Sequence, residues 1–294
     1  MELRHLRYFI RAAELMNFTR AAESLYVSQP TLSVQIHQLE EELGTELFAR
    51  AGRSVRLTES GQVFLARARQ AVRVLEEGEK EIDALKGLLR GSLNIASLPL
   101  YGSRLMVDWI AAFHDRYPLV AIRAVAAPSE DIEKSLLDGS SDIGLSFTPG
   151  SHPELSSRDL FEDEAMVIAG AGHKLARKKT ISKEDLSSYP LILPSERISA
   201  TRMISRFFEE QAIRPRIAMT FDDGHAMLEL VKRGDFLTIL PRRAVGESPD
   251  LRFLRPPAPG LKIQAGALWS HLGPAGAAFL ELITDQEREI RSLS

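Results

Sequence analysis

Residues 18–43, FTRAAESLYVSQPTLSVQIHQLEEEL, contain the most regular pattern in this sequence. Its first half repeats apolar residues at spacings of three and four, which predicts one apolar helical face: Phe18, Ala21, Ala22 and Leu25. Ser28 can cap a second helix, and Pro30 fits its first turn because the missing N–H would have no partner there. A second apolar stripe follows at Leu32, Ile36, Leu39 and Leu43. The pattern predicts two short helices joined by a tight turn.

The opposite face of the second helix carries uncharged polar side chains: Gln29, Thr31, Ser33, Gln35 and Gln38. Such side chains can donate to and accept from base edges in the major groove of DNA. Two helices that share an apolar contact, with a polar second helix turned outward, are typical of a helix-turn-helix. Any buried helical hairpin gives the same apolar spacing, so spacing alone leaves a purely structural role open.

Charge does not decide between these two interpretations. Residues 1–58 contain seven Arg and seven Glu and neither Lys nor Asp, so the segment is formally neutral. A DNA-binding domain usually carries a basic excess. The charges are segregated, however, because an acidic run ends the second helix and an arginine group follows it: Arg50, Arg53 and Arg56. A separate arginine group can still neutralise phosphates.

The flanking segments extend the pattern to a winged helix-turn-helix over residues 1–58. Apolar spacing predicts a first helix that packs under the other two, through Leu3, Leu6, Phe9 or Ile10, and Ala13. Gly44 is predicted to end the second helix of the pair, and Leu47-Phe48 to fill the core. Residues 51–54 are predicted to turn between two short strands, which would form the wing.

Four motifs in residues 1–61 carry a family resemblance. They are F-x-x-A-A-x-x-L-x-V-S-Q-P-x-L-S at 18–33, I-x-x-L-E at 36–40, L-G-x-x-L-F-x-R at 43–50 and L-T-x-x-G at 57–61. Together they are specific, and the chain resembles the LysR-type transcriptional regulators. The similarity continues more weakly to the carboxyl end, and some features are similar to the cyanate-operon regulators within that family.

The resemblance implies roles for individual DNA-binding residues. Gln29, Pro30 and Ser33 match positions that face bases. Ser28, Thr31 and Arg50 match positions that face phosphates, and Arg53 matches the wing position that lies against the minor groove. Arg50 could instead brace the domain by ion pairing, and Arg53 could be a solvated turn charge. The predicted DNA-binding set is Ser28, Gln29, Pro30, Thr31, Ser33, Val34, Gln35, His37, Arg50 and Arg53.

Two positions depart from the family pattern. Val34 stands where several members have Arg, and His37 stands where Arg or Lys is usual. Each change removes a fixed positive charge from the DNA face, so Val34 predicts a different base preference. His37 could contribute charge at lower pH or could be a surface histidine without a role.

Residues 59–89 are predicted to form one long linker helix. An apolar seam alternates steps of four and three, with a weak position at Gly78: Phe64, Ala68, Ala71, Leu75, Ile82, Leu85 and Leu89. This seam predicts pairing with a second copy of the chain, although packing against the following domain is an alternative. A dimer would present two recognition helices to half-sites about one helical turn apart or a multiple of it, and so predicts an inverted-repeat operator. The resemblance implies a dimer, or a tetramer assembled as a pair of dimers.

Beyond Gly91 strands and helices alternate, which predicts two successive α/β units with parallel sheets. The fold class is therefore α/β with an α-rich amino-terminal domain. The resemblance implies that residues 90–294 form an effector-binding regulatory domain similar to periplasmic solute-binding proteins. Subdomain I would cover about 90–161 and 267–294, and subdomain II about 162–266.

Ligands bind at the carboxyl ends of parallel strands and at helix starts. Residues at such places are the predicted effector-binding set: Ser97, Pro99, Ser129, Thr148, Ser199, Thr201 and His225. Helix N-termini and hydroxyls predict a small, anionic or strongly polar effector. Each Ser or Thr could instead be an ordinary helix cap, and His225 could lie on plain surface.

Other function classes are disfavoured by the sequence. It has no phosphate loop, no metal-protease motif and no hydrolase nucleophile motif, and its seven histidines lack metal-ligand spacing, so neither an enzyme nor a cofactor or metal is expected. The absence of Cys and of an evident export signal predicts a cytoplasmic protein rather than a secreted solute-binding protein. The expected partners are double-stranded DNA, a small effector and a second copy of the chain, with RNA polymerase as a further candidate and no membrane.

Overall fold

A computed structural model of the chain describes residues 1–51, 54–85, 89–148, 150–195 and 199–293. The chain divides into two compact units. The amino-terminal unit comprises Met1–Leu89 with Leu137–Ser140, and the carboxyl-terminal unit comprises Arg90–Leu136 with Ser141–Ser294. No helix in the described part of the chain is long and apolar enough to cross a membrane.

The amino-terminal unit has the predicted order of helices and wing strands. Its elements are α1 (Leu3–Leu15), α2 (Phe18–Ser24), α3 (Gln29–Leu43), β1 (Phe48–Ala51), β2 (Ser54–Leu57) and α4 (Glu59–Leu85). The Ser28 hydroxyl caps α3 by accepting the N–H of Thr31 at 3.2 Å. Gly44 ends α3 in the left-handed conformation, with φ of +67°, which glycine adopts without steric cost.

The helices of this unit pack around one apolar core with Phe9 at its centre. Phe9 is fully buried, and its ring lies 5.5 Å from the Phe48 ring and 5.3 Å from the Phe64 ring between centroids. The two predicted stripes pack here, since Ala21, Ala22, Leu32, Ile36 and Leu39 are all buried. Their burial confirms the predicted helix-turn-helix contact and leaves the polar face of α3 on the surface.

Two side chains fix the wing and the linker helix to this core. The Glu40 carboxylate accepts the backbone N–H groups of Leu47 and Phe48, at 2.8 and 3.1 Å, so the acidic end of α3 holds the start of β1. Thr58 caps α4 by accepting the Gly61 N–H at 2.9 Å. A side chain at Gly61 would collide with the Leu47 carbonyl, which explains why the motif L-T-x-x-G ends in glycine.

The predicted apolar seam of the linker helix is partly buried within the amino-terminal unit and partly exposed. Phe64 and Ala68 pack against the core of the amino-terminal unit, where Ala68 is buried and Phe64 is half-buried. Ala71 and Leu75 are exposed, and so are Val63 and Val74, which the seam did not include. Leu89 is not helical, and the side chains of Ile82 and Leu85 lie outside the described residues. The heptad spacing correctly predicted an apolar stripe on α4. It did not show that the first turns of α4 pack within the amino-terminal unit.

The carboxyl-terminal unit alternates strands and helices as predicted. Its strands are β3 (Gly91–Ser97), β4 (Val120–Ala126), β5 (Ile143–Phe147), β6 (Ser156–Gly170), β7 (Pro190–Leu193), β8 (Arg216–Thr220), β9 (Leu237–Pro241), β10 (Leu251–Leu254) and β11 (Lys262–Trp269). Its helices are α5 (Pro99–Arg116), α6 (Ser129–Leu137), α7 (Lys183–Ser188), α8 (Ser199–Glu210), α9 (Gly224–Arg233), α10 (Arg242–Val245) and α11 (Pro274–Leu293). The sequence pattern missed β10, α7 and α10, which are short.

The strands form a mixed sheet in the order β4-β3-β5-β11-β6-β9-β7-β8, with β10 beside β6. The triplets β4-β3-β5 and β9-β7-β8 are parallel, as predicted. Two long antiparallel strands, β6 and β11, join the triplets, so the sheet is not parallel throughout. The first four residues of β6 are exposed and polar, so the apolar pattern of the sequence does not show where this strand begins.

Candidate DNA-binding surface and effector cleft

The first turns of α3 present a polar surface that is already linked by hydrogen bonds. The Gln29 side-chain amide donates to the Ser33 hydroxyl at 2.8 Å, and the Ser28 and Thr31 hydroxyls lie 2.7 Å apart. Gln29, Pro30 and Thr31 are exposed and Ser33 is half-buried. The helix thus offers donors and acceptors in a fixed arrangement, as a base-reading surface requires.

Farther along α3 the predicted residues differ in what surrounds them. Val34 is 55% exposed and provides an apolar contact where the family pattern has a cation. The Gln35 amide donates to the Gln38 side chain at 2.8 Å. His37 is exposed, but its imidazole lies 3.4 Å from the Glu41 carboxylate, so an acidic side chain stands beside it.

Sequence reasoning missed Tyr26, which precedes the α3 cap. Its side chain is 97% exposed, and its backbone has a φ of +55°, which is uncommon for a bulky residue. An exposed ring with a hydroxyl, in the turn between α2 and α3, is suited to contact a phosphate or a sugar. A large aromatic residue between two apolar stripes reads as core in a sequence, which explains the omission.

The wing has the predicted hairpin geometry. Strands β1 and β2 pair antiparallel from Phe48–Leu57 to Ala51–Ser54, with Arg50 opposite Val55. The side chain of Arg50 and the whole of Arg53 lie outside the described residues. Their DNA contacts therefore stay predictions.

The carboxyl-terminal unit contains a cleft that is lined by residues from both parallel triplets and their flanking elements. Its wall is mostly apolar and comes from Leu98, Pro99, Leu100, Tyr101, Phe147, Pro194, Phe221, Gly224, Met227, Leu240, Pro241 and Ala244. Among the lining residues that the structure describes, Asp222 is the charged one, and it brings a carboxylate to the wall. A largely apolar cleft with few polar groups is the usual form of a small-molecule site.

The first turn of α5 and the first turn of α9 meet beside this cleft. A side chain on Gly224 would overlap Leu100, so glycine lets the two helices approach. In the same unit, the exposed Arg202 of α8 donates to the exposed Glu130 of α6 at 3.0 Å. These contacts join elements from the two halves of the unit.

A buried polar network lies next to the cleft, where β6 passes from β11 to β9. Asp163 of β6 is 4% exposed and accepts the Tyr101 hydroxyl at 3.0 Å and the Arg243 backbone N–H at 3.1 Å. Burial raises the pKa of the Asp163 carboxyl, and the backbone N–H groups of Arg243 and Glu164 oppose that rise. Burial also raises the pKa of Tyr101, whose ring lines the cleft.

The same network extends to the last helix. The Arg243 guanidinium binds Glu287 of α11 through two hydrogen bonds of 2.8 Å and lies over the Phe161 ring at 4.0 Å. Glu287 is 2% exposed. Arg243 lies in α10, the short helix that also contains Ala244 of the cleft wall, so this ion pair fixes one wall of the cleft.

The structure places the predicted effector residues in different environments. Pro99 lines the cleft. Buried hydroxyls belong to Ser97, Ser129, Thr148 and Thr201. Thr201 donates to the Pro194 carbonyl at 3.2 Å, whereas the hydroxyls of Ser97 and Thr148 have no hydrogen-bond partner within the described residues.

The remaining predicted effector residues are less informative. His225 is exposed, 3.9 Å from the Asp223 carboxylate, and the Ser199 side chain lies outside the described residues. The Asp222 carboxylate in the wall would repel an anion, so of the two predicted kinds of effector it favours the strongly polar one. Residues around the cleft also include no group of His, Asp and Glu that could hold a metal, in the part of the chain described.

Two family models match the chain, one for each unit. "Bacterial regulatory helix-turn-helix protein, lysR family" matches residues 3–62, and "LysR substrate binding domain" matches residues 86–288. The chain belongs to the LysR family of transcriptional regulators. Assignment to the cyanate-operon subgroup stays a prediction.

Relatives of this LysR-type regulator share sequence over most of their length. The HTH-type transcriptional regulator YwbI of Bacillus subtilis is 35% identical over 83% of this chain and 81% of its own. The RuBisCO operon transcriptional regulator of Allochromatium vinosum is 32% identical over 82% of this chain and 79% of its own. These relatives are regulators and not enzymes, and this LysR-type regulator is likewise not an enzyme.

Solved structures of LysR-type regulators have the same fold. Full-length OxyR from Pseudomonas aeruginosa superposes with a TM-score of 0.80 at 25% identity, over 98% of this chain and 95% of that one. Full-length CbnR in complex with its target DNA gives a TM-score of 0.69 at 27% identity, over 98% of this chain and the whole of that one. The winged amino-terminal unit of this regulator is its DNA-binding part, and the carboxyl-terminal unit is its effector-binding part.

Proposed function

We propose that this LysR-type regulator binds an inverted-repeat promoter site in the cytoplasm as a dimer or a pair of dimers. A small molecule in the cleft would change the spacing or the bend that the assembly imposes on the operator. The observation that carries the proposal is the exposed, hydrogen-bonded polar face at the start of α3, above a fully packed core. The DNA contacts would come from the predicted set, with Arg50 and Arg53 at the phosphates and the minor groove.

The domain assignment is part of this proposal. Residues 1–58 would bind DNA, residues 59–89 would link and pair the chains, and residues 90–294 would bind the effector. The division of the chain between Leu89 and Arg90 into compact units supports the second boundary. RNA polymerase is the further partner we propose, because a promoter-bound regulator acts on it.

The exposed stripe of α4 supports pairing of two chains. Val63, Val74 and Leu75 are 65%, 61% and 54% exposed, and Ala71 is also exposed. Exposed apolar side chains that recur at helical spacing on a long helix are often covered by a partner. We propose that this stripe, rather than Phe64 and Ala68, forms the amino-terminal part of the dimer contact.

Footprinting on the promoter tests the DNA-binding part. Gln29→Ala and Ser33→Ala should each weaken specific binding by about 1–3 kcal/mol and relax base preference at a single position in each half-site. Gln62→Ala removes the same type of amide from an exposed position of α4 and is the matched control. Unchanged footprints for the α3 variants would contradict base reading.

Light scattering tests the pairing part. Val74→Glu places a charge in the exposed stripe and should convert the dimer to monomer and remove operator binding. Gln62→Glu adds the same charge on the opposite side of α4 and should leave the dimer intact. A dimer that survives Val74→Glu would show that the stripe is not the contact.

A further inference from the structure

We propose that the effector of this regulator is a small organic cation with an apolar body, such as an arylalkylamine, bound between three aromatic rings and the Asp222 carboxylate. The inference rests on the proposed function, because it names the ligand class of the proposed effector cleft. It differs from the small, anionic or strongly polar effector that the sequence predicts.

Three aromatic residues line the cleft together with Asp222: Tyr101, Phe147 and Phe221. Aromatic faces attract cations through their negative quadrupole, and the attraction is strongest where water is excluded. The remaining wall is aliphatic, which favours an apolar body over a strongly hydrated ion. Rings, aliphatic wall and carboxylate together match an ammonium group attached to a hydrocarbon.

Asp222 is held in place for such a contact. One carboxylate oxygen, Oδ1, accepts the Ser195 backbone N–H at 3.2 Å. The Asp222 side chain is exposed, so its other oxygen is open to solvent and can accept an ammonium N–H. A charge-assisted hydrogen bond to a fixed carboxylate gives both orientation and selectivity against anions.

The adjacent helix N-terminus does not favour an anion. Asp223 caps α9 by accepting the N–H groups of His225 and Ala226, at 2.9 and 3.3 Å. Its negative charge offsets the positive end of the helix that borders the cleft. Of the two consecutive carboxylates, Asp223 therefore caps α9, and Asp222 is the one available to a ligand in the cleft.

The test compares three probes with one hydrocarbon body: 2-phenylethylamine, 2-phenylethanol and 3-phenylpropanoate. Thermal shift and tryptophan fluorescence of the full chain are measured at equal ionic strength. Both tryptophans, Trp109 and Trp269, belong to the carboxyl-terminal unit and report on it. The amine should raise Tm most and the alcohol less, because a ligand bound by the native state alone stabilises it. The carboxylate should leave Tm unchanged.

Asp222→Asn should lower the affinity for the amine by about fivefold to tenfold and leave that for the alcohol unchanged. Asp250→Asn removes an exposed carboxylate outside the wall of the cleft and is the matched charge control. Phe221→Leu keeps an apolar wall but removes a ring, and should weaken amine binding more than alcohol binding.

A stronger response to the carboxylate, equal responses to all three probes, or no response to the amine would each overturn the ligand class. Operator binding is measured on the same preparations by gel shift. Intact operator binding without amine selectivity overturns this inference alone. A chain that neither binds the operator nor responds to any probe overturns the proposed function as well.

Discussion

The two ligand surfaces of this regulator are built in opposite ways. The DNA surface is exposed and polar, and nearly all of its residues come from one helix, α3. The effector cleft is apolar and draws its wall from segments between Leu98 and Ala244. One surface meets a hydrated polyanion, and the other removes a small molecule from water.

This difference determines what supports each surface. The polar face of α3 is exposed because its opposite face is fixed in the core around Phe9. The wall of the cleft is shaped instead by contacts between distant segments, such as the Arg243–Glu287 pair. Loss of local core packing should therefore disrupt the DNA surface, whereas loss of a long-range contact should disrupt the cleft.

Phe9→Ala should have the largest effect and should break the DNA surface alone. Truncation of a fully buried Phe costs about 3–5 kcal/mol, because transfer free energy is lost and a cavity remains. Operator binding should be lost, whereas the fluorescence-detected unfolding of the carboxyl-terminal unit should be unchanged. Phe279→Ala, at an equally buried ring of α11, is the control and should shift that fluorescence transition instead. Loss of operator binding together with a shifted fluorescence transition in Phe9→Ala would contradict separate support.

Glu287→Ala should destabilise the cleft unit by about 3 kcal/mol, the lower end of the range for breaking a buried ion pair, because Arg243 is 26% exposed. The double variant Arg243→Met with Glu287→Leu should recover much of the loss, since no buried charge is left without a partner. Glu210→Ala breaks an exposed pair with Arg206 and should cost less than about 1 kcal/mol. Urea unfolding followed by fluorescence measures all three, and equal losses for Glu287→Ala and Glu210→Ala would contradict the supporting role of the pair.

The same contrast explains how much could be predicted from sequence. The elements of the DNA surface are contiguous, so spacing, caps and motifs located α3, its Ser28 cap and the Gly44 stop, as the structure confirms. The alternation of strands and helices also predicted the parallel triplets. Periodicity showed that one face of α4 is apolar, but it could not show which neighbour covers Phe64.

The cleft could not be derived in the same way. Its wall combines residues more than 100 positions apart, such as Tyr101 and Ala244, and only the folded chain brings them together. The sequence rule selected hydroxyls at strand ends and helix starts, and the structure buries several of them. Apolar lining residues carry no signal that separates them from ordinary core.

Ser97→Ala should change the free energy of unfolding less than the two variants above. The Ser97 hydroxyl is buried without a hydrogen-bond partner in the described residues, so its removal should leave the free protein as stable or more stable by up to about 1 kcal/mol. Thr201→Val is the control, because its buried hydroxyl donates to the Pro194 carbonyl and its loss should destabilise by about 1 kcal/mol. Thermal unfolding measures both. A clear destabilisation by Ser97→Ala would show that the hydroxyl has a partner in solution.

Acidification should act on the cleft unit through His173, and this is the smallest effect expected. The side chain is 5% exposed, its Nδ1 accepts the Leu175 N–H at 3.0 Å, and burial lowers the pKa of the imidazole. As pH falls through the ordinary histidine pKa, the unfolded chain gains a proton that the folded chain does not, so stability decreases. His173→Asn keeps an acceptor near Nδ1 and removes the titration. The native chain should therefore lose more stability than His173→Asn between about pH 7.5 and 5.5 in urea unfolding followed by fluorescence. Parallel losses in the two proteins would show that the acid sensitivity of this unit comes from other groups.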